Sequence, residues 1–421
     1  MTGALLLIGV IALLLLLRQP LLIILLAAVA VVHVVWGRAQ LDYIIEDMWI
    51  SLDKELILAI PMFILCGGVM TKGSTAKRLI DVATALTGHL PGGLAVASIL
   101  SCGIFAAISG SSIVTMMAIG TVMLPAMKTA GYSNRYALGA VMAGGTLGII
   151  IPPSIPLILY GLVTETSITD LFLAGVGPGI LLLSVFAIHA MWVNRHLPTP
   201  RFDWLNLMAA LRNGVWALLM PIILLGGIYS GYFSAIEAAA VALIYAIIIE
   251  TFVHKGFKAK HFYEVVLEAS KLGGTLFPLL AAALSLNLVL TEHRVPMQLV
   301  AFMQEWISSP LVFMLLVNAL LLGVGALMTA GEAILILGPM LAPLAAAYGF
   351  DPVMFGIIMI VNLEIGFLTP PVGLNLLVAM TTFKQKFSEL VRAALPFIGL
   401  LLACLAIIAW QPWISMALVN Q

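Results

Sequence analysis

Apolar residues fill this chain in long blocks, and polar positions are confined to short gaps and islands. Runs such as 5–17, 21–36, 56–70, 171–193 and 393–410 are apolar enough to be membrane spans, or half of one. Three polar gaps, 74–86, 204–211 and 261–270, keep a helical apolar stripe and predict amphipathic helices lying along a membrane interface. Islands of small and proline residues interrupt other apolar blocks, at Ser109-Gly110-Ser111-Ser112, Ile151-Pro152-Pro153-Ser154-Ile155-Pro156 and Leu368-Thr369-Pro370-Pro371-Val372-Gly373. Consecutive prolines remove backbone donors and clash with the preceding turn, so half-helices are expected there in place of rods.

Composition turns this pattern into a fold class. Of 421 residues 62% are hydrophobic and 9% charged, with a mean hydropathy of +1.16, against about a quarter charged in a soluble domain. The chain reads as an all-α integral membrane protein with about 11 transmembrane helices, the bilayer serving as its solvent. Zero net charge gives no basic surface for nucleic acid. The three cysteines are far apart and lack zinc spacing. No basic region precedes the first apolar run, and Arg18 follows it, so that run is expected to stay as a first helix. No GxxxxGK[ST] occurs, so an ion gradient, not ATP bound to this chain, would drive any transport.

The basic residues set a topology. Sixteen of the 19 Lys and Arg fall in Arg18 and five connections: 72–78, 128–135, 195–212, 255–271 and 384–392. Arg38, Lys54 and Arg294 lie in connections that also hold acids. The positive-inside rule makes the sixteen cytoplasmic and puts both termini on the periplasmic side of a bacterial inner membrane. Residues 91–127 then begin and end in the cytoplasm. They are too long for one crossing at ~1.5 Å per residue, and they fit a re-entrant hairpin with its tip at Ser109 to Ser112.

A shift of 218 positions superposes Gly120 on Gly338, Pro125 on Pro343, Gly131 on Gly349, Gly148 on Gly366 and Pro152-Pro153 on Pro370-Pro371. The second copy has base-poor flanks and should enter from the opposite side. The organisation is therefore 1–90, scaffold helices; 91–168, repeat 1 with hairpin 91–127 and broken helix 134–164; 169–308, scaffold helices and cytoplasmic interfacial arms; 309–383, repeat 2 with hairpin 309–347 and broken helix 352–382; and 384–421, an interfacial and a transmembrane helix. Inverted repeats with broken helices are a carrier architecture that places its sites where the breaks meet. Because the repeats gather every polar tip into one unit, that unit is expected to move against the scaffold as an elevator.

The runs Phe105 to Ser112, Ile151 to Pro156, Ser234 to Ala240 and Gly366 to Gly373 resemble the large membrane subunit of tripartite ATP-independent periplasmic (TRAP) transporters, and the resemblance covers nearly the whole chain. It implies sodium coupling, an elevator motion, a small four-helix membrane subunit (Q type) and a periplasmic protein (P type) that delivers a carboxylate-bearing substrate. Ser234-Ala235-Ile236-Glu237 stands where that family usually has Thr-Pro-Thr-Glu, which leaves the role of Glu237 open.

Sodium in a membrane protein needs oxygen ligands with little net charge. Candidate ligands are Ser109, Gly110, Ser112, Thr146 and Gly148 for a first ion, and Gly325, Thr329, Gly331, Gly366 and Thr369 for a second, with no organic cofactor. No Lys or Arg lies in a tip or break, so the substrate's carboxylate must use helix N-termini and side chains. Candidates for that set are Ser111, Pro153, Ser154, Asn362, Pro371, Gly373 and Asn375. The substrate is expected to be a small organic acid of the sialic acid, C4-dicarboxylate or keto-acid class. Each small or hydroxyl residue also has a packing reading, as a close helix contact or a bond to its own backbone. The roles of Glu332 and Glu364, acids within the membrane, stay open.

Three alternatives remain open. An intramembrane serine protease could use Ser109 with His189, but it leaves the repeat unexplained. A passive pore could be lined by broken helices, and a standalone sodium/dicarboxylate carrier would need no delivery protein.

Overall fold

The computed structural model describes residues 2–36 and 43–419, and every regular element among them is helical. Arg38, one of the three bases in connections that also hold acids, lies outside the described residues. Nine described helices are long and apolar enough to cross a membrane, or ten if the bent pair over 295–325 forms one span.

The chain opens with α1 (Thr2–Leu16), α2 (Leu21–Val35) and the short amphipathic α3 (Tyr43–Leu52). Asp47 of α3 reaches the buried His33 of α2 at 3.0 Å, which pins this surface helix to the span beneath it. Next come α4 (Ala59–Lys72), entered through a 3-10 turn, and α5 (Thr75–Thr87). The amphipathic stretch 74–86 becomes α5. Its first turn is held by Glu250, a buried carboxylate that accepts from the Ser74 amide at 2.9 Å and from the Thr75 hydroxyl.

Repeat 1 consists of α6 (Gly93–Ser109), α7 (Ser112–Thr129), α8 (Asn134–Ile150) and α9 (Ile155–Thr164). Between the repeats run α10 (Ile168–Val193), α11 (Trp204–Tyr229), α12 (Ala235–Ile248), which continues into a π-helical turn bearing Glu250, α13 (Ala259–Glu292) and α14 (Val295–Trp306). Repeat 2 consists of α15 (Pro310–Gly325), α16 (Ala330–Ala347), α17 (Pro352–Phe367) and α18 (Leu374–Phe383). The chain closes with α19 (Phe387–Trp410) and α20 (Trp413–Met416).

The amphipathic stretches 204–211 and 261–270 are not separate interfacial helices. Each runs without a break into its span, giving α11 of 26 residues and α13 of 34. At ~1.5 Å per residue α13 is far longer than a ~30 Å hydrocarbon core, so its polar start projects beyond the apolar layer.

The two repeats place their irregular backbone alike. Gly110, at φ 57°, caps α6 and hands over to Ser111, the N-cap of α7. The break between α8 and α9 lies against this tip, and the Ile155 amide donates to the Gly110 carbonyl at 3.4 Å. In repeat 2 the Ala326 carbonyl accepts from the Val372 and Gly373 amides, at 3.3 and 3.1 Å. Both proline pairs are cis. The superposed glycines explain themselves here, because a Cβ on Gly148 would overlap the Ser111 carbonyl and one on Gly366 would overlap Gly325.

The repeats meet each other where α16 packs on α9, α17 on α8 and α18 on α7. Across from them, α2, α4, α12 and α13 form a second assembly, with α13 against α2 and α4, and α12 against α4. α10 lies in the segment read as scaffold, yet it packs on α6, α8, α9 and α17. Its glycines at 175 and 179 allow this, since each faces backbone or side chain of residues 150–152 with no room for a Cβ.

Gly148→Ala and Gly366→Ala should each lower stability by about 1–3 kcal/mol through overpacking, whereas Gly226→Ala, which meets nothing within 4 Å, should be neutral or mildly stabilising. Thermal unfolding of the purified variants in detergent checks the contrast.

Candidate functional site

Both tips and both breaks converge on one cavity of ≈ 310 Å³. Ser109 to Ser112 come from the first tip, Thr329 to Glu332 from the second, Ile155 and Pro156 from the first break, and Phe367 and Leu374 from the second. The opposite wall is α4 and α13, through residues such as Gly67, Thr275 and Leu279. A volume of this size suits a small molecule. Among the described residues of the lining Glu332 is the only charged one, and its carboxylate accepts from the Thr329 amide at 2.9 Å in a capping box that opens α16. Glu237 does the same for α12 with Ser234. Both acids are accounted for as helix caps.

At the first tip, oxygens gather closely. The Ser109 hydroxyl lies 2.7 Å from that of Thr115 and 3.4 Å from the Ser111 carbonyl, and Gly148 packs against the same carbonyl. The Thr146 hydroxyl donates to the Ala143 carbonyl at 2.6 Å and does not line the cavity. At the second tip Thr329 and Gly331 line the cavity. Gly325 and Gly366 lie against each other behind it, and the Thr369 hydroxyl donates to the Ile365 carbonyl at 2.8 Å.

Of the residues proposed for the substrate, Ser111 lines the cavity. Ser154 caps α9 and donates to the Ile149 carbonyl at 2.6 Å. Asn362 is buried, with its amide given to Asn318 at 2.7 Å. Pro153, Pro371 and Gly373 shape the breaks but stand off the lining. Asn375 is buried behind the wall, where its amide donates to the Ser112 hydroxyl at 2.7 Å and to Glu364 at 3.2 Å. Ser112 in turn donates to Glu364, so one cluster joins repeat 1 to repeat 2.

Sequence reasoning missed the wall from α4 and α13, whose apolar residues carry no signal, and it missed Thr115. That residue stands one helical turn after Ser111, at a spacing that could have singled it out. His189 stacks on Tyr136 and meets Phe397 edge-on, outside the cavity lining. Ser109 therefore meets a threonine and not an imidazole, which removes the protease alternative.

Repeated hairpins and broken helices around one cavity, closed by a second helical assembly, are the architecture of a membrane transporter. The fold is similar to the YdaH transporter of Alcanivorax borkumensis, with TM-score 0.60, 15% identity, and 90% of this chain and 89% of that one covered. It is also similar to MtrF of Neisseria gonorrhoeae, with TM-score 0.62, 9% identity, and 87% and 82% covered. The sequence profile of the tripartite ATP-independent periplasmic transporter DctM component matches residues 8–414. The C4-dicarboxylate TRAP transporter large permease protein DctM of Pseudomonas aeruginosa is 43% identical over 371 residues, with 87% of each chain covered. Its namesake in Vibrio cholerae is 40% identical, with 85% of this chain and 84% of that one covered. The ectoine TRAP transporter large permease protein TeaC of Halomonas elongata is 33% identical, with 91% and 90% covered. The chain belongs to the DctM family and is the large permease of a TRAP transporter.

Filling the cavity from the α13 wall tests its role. Thr275→Trp should reduce uptake at least about tenfold, equivalent to ~1.4 kcal/mol, while the protein keeps its size-exclusion profile. Unchanged uptake would place the substrate path elsewhere.

Proposed function

We propose that this permease imports a small organic acid into a bacterial cell across the inner membrane, coupled to sodium, by an elevator motion of its repeats. The observation that carries this reading is the single cavity shared by both tips and both breaks. The clustered oxygens of Ser109, Thr115 and Ser111 fit a sodium ion at the first tip. Gly366 and Thr369 supply the matching candidates at the second. With no cationic side chain among the described lining residues, the substrate's carboxylate would be met by the N-termini of α7 and α16 and by bound sodium.

Relatives at 36–43% identity are named for C4-dicarboxylates, and others for ectoine, isethionate or 2,3-diketo-L-gulonate. The 43 and 40% identities of two C4-dicarboxylate permeases favour a C4-dicarboxylate, with the isethionate relative at 39% next to them. The match spans 61% of the isethionate permease named DctMQ, a name that joins M to Q. A separate Q-type subunit and a P-type binding protein complete the proposed system, with both termini of this chain periplasmic.

The elevator reading is supported by the packing of the repeats on each other, with α4 and α13 facing them across the cavity and touching them through α6 and α16.

In proteoliposomes holding the complete system, uptake of labelled succinate should require an inward sodium gradient. Ser109→Ala and Thr369→Ala should each raise the half-saturating sodium concentration several-fold, by ~1 kcal/mol for a lost ligand. Sodium-independent uptake would end the coupling proposal, and uptake without the binding protein would favour a standalone carrier. Cysteine pairs between α13 and α16 should form different cross-links in inward- and outward-facing states. A single pair that forms in both states and leaves transport intact would exclude the elevator.

A further inference from the structure

Glu364 lies on α17, fully buried, and it makes no ion pair among the described residues. One carboxylate oxygen, Oε1, accepts from Ser112 and from Asn375. The other, Oε2, has no partner among the described residues, and neither does Oδ1 of Asn375. An unpaired carboxylate at this depth would cost several kcal/mol. Every polar atom of the cluster other than the Asn375 amide nitrogen is oxygen, and that nitrogen stands 2.7 Å from Ser112 Oγ and 3.2 Å from Glu364 Oε1. A half-turn of the amide about its Cβ–Cγ bond would put Oδ1 in the nitrogen's place, so that a carboxylate, a hydroxyl and an amide oxygen converge within one ion's reach.

We infer that Glu364, Ser112 and Asn375 bind a sodium ion between the two repeats, behind the cavity wall and apart from the oxygens gathered at Ser109 and Thr369. All-oxygen donors select a hard cation. A monovalent ion leaves the cluster neutral, as a membrane interior requires, whereas a divalent one would leave it with a charge of +1. Ser112 both lines the cavity and touches Glu364, so this ion would tie the first tip to the second broken helix. The inference deepens the sodium-coupled reading and rests on it.

Radioactive sodium bound per purified full-length chain, at saturation in sodium-free choline buffer supplemented with labelled NaCl, is the test. Glu364→Gln and Asn375→Ala should each bind one ion fewer than the wild type, while Glu237→Gln, an exposed helix cap outside the cavity lining that keeps its acceptor, should bind the wild-type number. Asn375→Ala leaves the carboxylate in place and serves if Glu364→Gln fails to fold. An unchanged count in a folded Glu364→Gln protein overturns this site and leaves sodium coupling intact. The site is equally overturned if the wild type, saturated with sodium, shows the infrared C=O band of a protonated acid that Glu364→Gln lacks, because a proton then balances the charge. A wild type that binds no sodium overturns both the site and the sodium-coupled reading.

Discussion

Everything in this permease depends on the rule that backbone polar groups in hydrocarbon must find partners within the protein. Four stretches of the chain break that rule locally, two tips and two interrupted helices, and the structure satisfies them against one another. The Gly110 carbonyl meets the Ile155 amide, and the Ala326 carbonyl meets those of Val372 and Gly373. Contact this close excludes a Cβ at Gly148 and Gly366. The cavity is thus a by-product of the way the chain hides its own defects.

How far the fold is legible in the sequence follows from how local each cause is. Proline pairs stop helices through their own rings, and Gly110 turns a chain through its own φ, so the all-α membrane class and the helix breaks are written in short stretches. The long-range choices are not. Glu250 holds the start of α5 across 176 positions, and Ser112 meets Glu364 across 252, with nothing in either neighbourhood to announce the partner. Apart from Thr275, the cavity-facing residues of α4 and α13 are apolar or glycine, like the rest of their spans, so no periodic signal marks the wall. The polar starts of α11 and α13 have the composition of interfacial helices, and only continuity with the following span removes the break expected there.

The candidate site divides in the same way. Hydroxyls at the first tip reach the cavity because the tip itself forms its wall. Ser154, Asn362 and Asn375 have the same chemistry, yet each is committed to a neighbour: the Ile149 carbonyl, Asn318, and the pair of Ser112 and Glu364. Residue type names the possible ligands, and tertiary partners decide which of them face the cavity. The acids separate likewise, Glu237 and Glu332 serving their own helices while Glu364 serves a distant one.

The mutual pairing of tips and breaks also bears on how such a chain can be assembled as it leaves the ribosome. Residues 93–150 contain a complete hairpin and the first half of α8–α9, but the Gly110 carbonyl takes its bond from Ile155, which is translated later. A membrane-inserted intermediate ending at residue 150 therefore has a tip with no seat and must be shielded by water or by the insertion machinery. The backbone of the first tip is completed only once the chain reaches the start of α9, and its Ser112 hydroxyl waits longer still, for Glu364 and Asn375. Insertion of each repeat should thus be held until its break has been synthesised.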